Sequence, residues 1–287
     1  MFTSPQATGS HRTIGWGIVI LLLLLRIPYS ILLTYGGASS TGWGPAIYQL
    51  LTYLLTLFLI WWERDDLAAV HMDQAAIALI VIFKPVQTLL MLHWGIRTPL
   101  TFPQPGSLAI WAAAIVLAVA IWRRARMNSA GRPAWPSTNG GWLVTGVLAG
   151  CALSAIPALD AFWHVQELVP LASVSVGTGL AFFYQVGFAA AAEEPLFRGF
   201  LWGYLRRAGW SEGWVWLVQG SLFMLAHLYF INALPLQFWL IVPAAGLIFG
   251  LLAWRSRSIA PGMLAHAAYN AGAYIILLNL LAAGIRL

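Results

Sequence analysis

The sequence predicts an all-α, polytopic transmembrane helical bundle. Of its 287 residues, 60% are hydrophobic and only 8% are charged, whereas a soluble domain usually carries about 25% charged residues. Apolar segments long enough to cross a bilayer recur along the whole chain. The sixteen Trp and nine Tyr residues fit the aromatic belts that form at membrane–water interfaces. A soluble protein this apolar would be unable to cover its surface.

The apolar segments predict eight or nine spans, because a spanning helix needs about 20 apolar residues. In chain order, the candidate spans are 13–35, 44–62, 74–94, 107–122, 142–159, 178–205, 212–231, 236–254 and 259–283. The first segment could pass for a signal peptide, but Arg26 and Pro28 interrupt it and its apolar character resumes up to Tyr35. We therefore interpret it as an uncleaved first span.

The clearest linker is 123–141, which combines arginines with Gly, Pro, Ser and Asn. It divides an N-terminal region of membrane helices and basic linker, 1–141, from a C-terminal region, 142–287. With the N-terminus in the cytoplasm, the cytoplasmic loops contain Arg12, Arg64, Arg123, Arg124, Arg126, Arg132, Arg206, Arg207, Arg255 and Arg257. This asymmetry obeys the positive-inside rule and predicts a multi-pass protein of the cell membrane. Because the basic residues form no long run, no nucleic-acid partner is expected.

Three of the last four spans carry polar groups at similar depths. Glu193 lies about 21 Å of helix from the basic end of its span, His227 about 22 Å from the start of its span, and Asn270 about 18 Å from the start of the last one. His266 is nearer 12 Å. An isolated charge at the bilayer centre costs at least about 2.5–3.5 kcal/mol. Convergence on one water-accessible cavity would remove much of that cost.

Spacing within the spans indicates which side chains share a face. Glu194 and Arg198 are four residues apart, so they can pair, while Glu193 points about 100° away from Glu194 and is free for another task. His266 and Asn270 repeat the four-residue spacing and are aimed at one point. Pro195, which directly follows Glu194, removes a backbone donor and is expected to kink that helix.

The polar groups belong to short motifs in a fixed order. "EEPLFR" fits Glu-Glu-x-x-x-Arg, "FMLAH" fits Phe-x-x-x-His and "HAAYN" fits His-x-x-x-Asn. Together they resemble the CAAX protease and bacteriocin-processing (CPBP) family of intramembrane proteases, which includes the type II CAAX prenyl endopeptidases and the Abi proteins. The resemblance covers roughly 175–280, and the preceding region is only generically membrane-like.

The resemblance implies a role for each motif residue. Glu193 is similar to the catalytic glutamate that activates water, and His227 to its partner. His266 and Asn270 resemble the pair that stabilises the oxyanion. The supporting positions are occupied by Glu194, Arg198 and Phe223. Amide hydrolysis requires a base for water, a proton for the leaving amine and donors for the oxyanion, and these side-chain types supply all three.

A metal site is the alternative for the same residues. Glu193, His227 and His266 could form a His₂Glu zinc site with an open fourth position, and the family has often been described as metalloproteases. However, the His-Glu-x-x-His spacing of helix-borne zinc sites is absent. We therefore favour glutamate-dependent hydrolysis without a cofactor, with zinc as the alternative.

The expected substrate is a peptide or membrane protein in the lipid bilayer. A prenylated C-terminal peptide is the precedent that the resemblance implies, and a leader peptide is equally open. Two other functions remain open: a proton-coupled transporter, since Glu and His relays occur there, and a non-catalytic scaffold or immunity protein. Arg26 and Lys84 are intramembrane cations to which the sequence assigns no partner, although Arg26 could snorkel or hydrogen-bond at a helix break near Pro28.

Overall fold

In the computed structural model, the regular elements of the described residues, 9–35, 43–127, 137–165 and 175–282, are all helices. The linker residues 128–136 lie outside these ranges. The first five helices are α1 Gly9–Tyr35, α2 Trp43–Trp62, α3 Gln74–His93, α4 Pro105–Met127 and α5 Gly140–Val165. The remainder are α6 Ser175–Gln185, α7 Ala191–Glu194, α8 Trp202–Arg207, α9 Glu212–Leu225, α10 Phe230–Ala233, α11 Val242–Ser256 and α12 Ala260–Ala282. The all-α prediction is therefore confirmed for the described part of the chain.

Within the described ranges, six helical segments are long and apolar enough to cross a membrane, namely Thr13–Leu32, Trp43–Trp62, Gln74–His93, Pro105–Arg123, Gly140–Leu159 and Gln237–Ser256. Each coincides with a predicted span, so the integral-membrane class is supported. The predicted count of eight or nine spans is not confirmed. The predicted span 178–205 corresponds to a helical region that π-helical segments divide into α6, α7 and α8. The predicted span 212–231 corresponds to α9, which ends at Leu225 and is followed by a short turn. The remaining predicted span, 259–283, corresponds to α12.

The helical region that carries the two glutamates contains two π-helical segments. Between α6 and α7, Val186–Ala190 is π-helical, and Pro195–Leu201 between α7 and α8 is π-helical again. Since Pro195 has no N–H, it is accommodated at the first position of the wider segment. Such π-helical turns re-aim neighbouring side chains and are frequent at functional sites.

Small residues allow α12 to lie directly against α5. A Cβ on Gly146 would lie 2.3 Å from the carbonyl oxygen of Pro261, and one on Gly150 would lie 2.1 Å from that of Ala265. Both positions therefore require glycine for the observed backbone approach. This contact fixes the helix that carries the last predicted motif.

Asp73 joins the beginnings of α3, α5 and α12. Its carboxylate accepts hydrogen bonds from the Ala76 amide at 2.9 Å, from the Thr138 amide at 2.7 Å and from the Ser258 hydroxyl at 2.8 Å. The Ala76 bond is an N-cap that satisfies one of the free amides of α3. One buried carboxylate thus sets the relative position of three helices, of which α12 carries His266 and Asn270.

Candidate active site

The four predicted catalytic side chains line a single cavity. Glu193, His227, His266 and Asn270 all face a space of about 280 Å³ bounded by residues of α1, α2, α7, α9, α11 and α12. Its other walls include aromatic side chains such as Tyr229. Three motifs that are far apart in the chain therefore meet at one mixed polar and apolar cavity, as the matched depths predict.

Glu193 is held by a side chain from the first helix. Its Oε1 accepts a hydrogen bond from the Arg26 guanidinium, which donates at 3.0 Å to the hydroxyl of Tyr48 on α2. Both members of the ion pair are largely buried, with side chains 15% and 6% exposed for Arg26 and Glu193. The second oxygen of Glu193 has no hydrogen-bond partner among the described groups. It is consequently the oxygen available to a reactant.

His227 lies beside that second oxygen. Its Nδ1 is 2.8 Å from the carbonyl oxygen of Phe223, which can only accept, so Nδ1 carries a proton. In the neutral ring, Nε2 is then a proton acceptor. Nε2 lies 3.5 Å from Glu193 Oε2, so two acceptors are side by side. One water molecule can donate its two protons to such a pair.

His266 belongs to a buried ionic group with Glu194 and Arg198. Glu194 Oε1 accepts from Arg198 Nη1 at 3.1 Å and lies 3.0 Å from His266 Nδ1. Since a carboxylate only accepts, Nδ1 of His266 donates to it. The predicted Glu194–Arg198 pair is present, and it extends to α12. The other ring nitrogen of His266 can donate only when the imidazole is protonated.

Asn270 is oriented by an amide from α6. Its Nδ2 donates to Gln185 Oε1 at 3.1 Å. This bond uses one of the two amide protons and leaves the second for another acceptor. His266 and Asn270 therefore share the cavity, but each is held by its own partner.

Phe223 fills the space between the ionic groups. The Arg198 guanidinium carbon lies 4.1 Å from the centroid of its ring, a cation–π contact. The ring centroid of His227 lies 4.5 Å from that of Phe223. Arg198 also donates to the carbonyl oxygen of Gly246 at 3.2 Å. Phe223 thus packs the supporting arginine against the histidine of its own motif.

Sequence reasoning left Arg26 without a partner and did not identify Tyr48 or Gln185. Arg26 and Glu193 are 167 residues apart, and no spacing rule connects them. The available signal was charge: an intramembrane arginine and an intramembrane glutamate with no assigned partner are each costly alone, and pairing lowers that cost. The two polar residues Tyr48 and Gln185 carried no comparable signal.

The described residues contain no group of three His, Cys, Asp or Glu side chains arranged to hold a metal ion. The alternative zinc trio of Glu193, His227 and His266 lines one cavity. The Nδ1 of His266 faces Glu194 and that of His227 faces a backbone carbonyl, and metal-binding histidines commonly donate their other ring N–H to such groups. The zinc alternative therefore stays a prediction, and the chemistry of the site is described through its side chains.

Comparison with protein families agrees with the motifs. Residues 175–272 match a family model described as Type II CAAX prenyl endopeptidase Rce1-like. The match confirms the family resemblance for this region, which contains the three motifs, and it implies a CAAX-type protease. Neither the curated proteins nor the solved structures that were compared with the chain gave a match. Arg26 and Tyr48 lie outside the matched region.

Proposed function

We propose that this protein is an intramembrane endopeptidase that hydrolyses a peptide bond with water activated by Glu193 and His227. The observation that carries the proposal is the pairing of a free Glu193 oxygen with His227 Nε2 at 3.5 Å, in one cavity with His266 and Asn270. The family match at 175–272 supports the same reaction class. Prenylated and leader-type peptides are the substrate classes to test.

The proposed reaction begins with a water molecule that donates to Glu193 and His227. As the water oxygen attacks the carbonyl carbon of the scissile bond, one water proton passes to this pair and the carbonyl oxygen becomes an oxyanion. Collapse of the tetrahedral intermediate breaks the C–N bond. The proton returns to the leaving nitrogen, so the products are a carboxylic acid and an amine. The pair of Glu193 and His227 thus acts first as a base and then as an acid, and this reaction forms no covalent intermediate with the protein.

Two side chains on α12 are proposed to stabilise the oxyanion. Asn270 contributes the amide proton that Gln185 does not accept. His266 contributes its Nε2 proton, which requires the protonated ring because Nδ1 donates to Glu194. Glu194 stabilises that imidazolium and is itself held by Arg198. The carboxylate therefore supports catalysis through His266.

The ion pair between Arg26 and Glu193 is proposed to orient the catalytic carboxylate. With Oε1 bound to the guanidinium, only Oε2 faces His227 and the substrate. Orientation of a reacting group lowers the entropic part of the barrier. We further place the protein in the cell membrane with its N-terminus in the cytoplasm, which follows the distribution of arginines.

Peptide cleavage by purified protein in detergent tests the proposal. The probes are a labelled peptide that ends in a farnesylated cysteine and three apolar residues, and its unprenylated form. Glu193→Gln should reduce cleavage at least about 100-fold, because the general base is lost. Asp66→Asn makes the same carboxylate-to-amide change on a side chain that is 54% exposed and should cleave like wild type.

The same assay separates the rival functions and the metal alternative. A transporter would show proton-coupled flux in proteoliposomes that depends on Glu193 without peptide cleavage, and a scaffold would be unaffected in both assays. A chelator should leave cleavage unchanged. Stoichiometric zinc in the active protein, with activity lost to the chelator and restored by zinc, would replace the metal-free mechanism.

A further inference from the structure

A second, smaller chamber adjoins the active-site cavity and contains a buried lysine. The chamber has a volume of about 30 Å³ and lies between α2, α3 and the segment that precedes Glu193. Lys84 on α3 is 3% exposed and lies about 15 Å along its helix from Gln74. The ammonium group is therefore near the middle of a span, which is an expensive place for a charge.

The contacts of the ammonium group are all with neutral groups. It donates to Gln87 Oε1 at 2.7 Å and to Gln49 Oε1 at 3.4 Å, and it lies 5.9 Å from the centroid of the Phe188 ring. Within the described ranges, no carboxylate oxygen lies within ion-pair distance of Lys84. Amide oxygens satisfy two of its three donors, and its charge is left unbalanced.

Thr52 provides an independent observation at the same chamber. It is 4% exposed, it lines the chamber, and its hydroxyl has no hydrogen-bond partner in the described part of the chain. Buried hydroxyl groups are nearly always hydrogen-bonded. A cation without a counter-ion and a hydroxyl without a partner thus face one small space, and both would be satisfied by an anionic oxygen.

The chamber shares a wall with the active-site cavity. Both spaces are lined by Arg26, Tyr48, Gln49, Phe188, Ala189 and Glu193. A group in the chamber would therefore lie beside Glu193, which lines both spaces. An occupant could belong to the same substrate molecule whose peptide bond faces Glu193.

We propose that Lys84 and Thr52 form a subsite for a carboxylate of the peptide substrate, next to the catalytic cavity. The chamber volume corresponds to one or two water molecules, which suits a carboxylate and excludes bulkier anions. Two carboxylates have the required chemistry: the terminal carboxylate of a substrate cleaved near its C-terminus, and an acidic side chain close to the scissile bond. This inference rests on the proposed peptidase function.

Equilibrium binding to Glu193→Gln protein tests the subsite without turnover. Three fluorescent, farnesylated peptides of one sequence are compared: one with a free C-terminal carboxylate, one with a C-terminal amide, and one with the amide and an aspartate at the last position. A hydrogen-bonded charged group contributes about 1.5–3 kcal/mol. The free acid should therefore bind about 10- to 100-fold more tightly than the amide.

Replacing Lys84 by Met in the same protein should abolish this preference. It removes the charge and nearly preserves the side-chain length. Arg97→Met, which removes a cation from an exposed loop, is the matched control and should keep the preference. Thr52→Val, which removes only the unpaired hydroxyl, should reduce it several-fold. Recovery of affinity by the aspartyl amide would assign the subsite to an acidic side chain instead of the terminus.

Equal affinity for all three peptides would overturn the proposal even if Lys84→Met failed to fold, because that comparison needs no change at Lys84. A preference that persists in folded Lys84→Met would overturn it as well. The result is separable from the proposed function. Wild-type protein that cleaves all three peptides equally refutes the subsite alone, whereas the absence of cleavage with a Lys84-dependent binding preference refutes the peptidase alone.

Discussion

The Arg26–Glu193 pair gives a quantitative prediction for the free energy of unfolding. Arg26 is the only described group that donates a hydrogen bond to Glu193, and among the described groups the other carboxylate oxygen has no hydrogen-bond partner. Arg26→Met would therefore leave a carboxylate that is 6% exposed without a hydrogen bond. Breaking one side of a buried pair costs about 3–5 kcal/mol. The unfolding equilibrium constant should rise by about two to four orders of magnitude.

The double variant distinguishes charge from packing. Arg26→Met with Glu193→Gln removes both charges, so it should be less destabilised than the sum of the single variants, with a coupling of at least about 1.5 kcal/mol. Unfolding in mixed detergent micelles can be followed by the fluorescence of the sixteen tryptophans. Arg97→Met should remain within about 0.5 kcal/mol of wild type. Additive single effects, or a loss below about 1 kcal/mol in Arg26→Met, would contradict the proposed dependence of Glu193 on Arg26.

Two further predictions concern the support of the site and the loop before α3. A Cβ on Gly262 would lie 3.0 Å from Glu194 Oε2, so Gly262→Ala should destabilise the protein by about 1–3 kcal/mol and slow cleavage. Gly213→Ala, which meets nothing within 4 Å, should do neither, and equal values for the two variants would contradict this account. Burial lowers the pKa of His71 to about 4, below its ordinary value near 6.5. The neutral ring should therefore contribute about 3 kcal/mol to the free energy of unfolding above pH 6.5, and this contribution should be lost as the pH falls from about 6.5 to 4. His71→Asn, which tolerates the positive φ of this residue, should flatten the dependence of unfolding free energy on pH in that range, and an unchanged slope would exclude His71 as its origin.

Local patterns predicted much of the helical structure and part of the site. Glu194 and Arg198 were expected to pair because a four-residue spacing places two side chains on one helix face, and they do. The shared cavity also agrees with the matched depths of Glu193, His227 and Asn270. Both inferences depend only on helix geometry, which the sequence determines once the spans are recognised.

The remaining contacts depend on how helices pack. His266 and Asn270 share a helix face, and the prediction aimed them at one point, but His266 donates to Glu194 on α7 and Asn270 to Gln185 on α6. Periodicity states which face a residue occupies and leaves its partner unspecified. The π-helical segments around Glu193 were likewise not predicted, although a kink at Pro195 was. In these segments the backbone forms i→i+5 hydrogen bonds in place of the i→i+4 bonds of an α-helix, and the periodicity of the sequence does not indicate that change.

The N-terminal helices contribute residues to the walls of both cavities, which argues for a functional role of these helices. The family match begins at residue 175, yet α1 provides Arg26, the partner of Glu193, and α2 provides Tyr48, which holds Arg26 in place. On α3, Lys84 faces the adjoining chamber. The matched region alone would contain the proposed reacting groups but leave Glu193 without the Arg26 cation. We therefore expect the N-terminal helices to orient the catalytic carboxylate and to select substrates through their carboxylates, while the C-terminal motifs carry out hydrolysis.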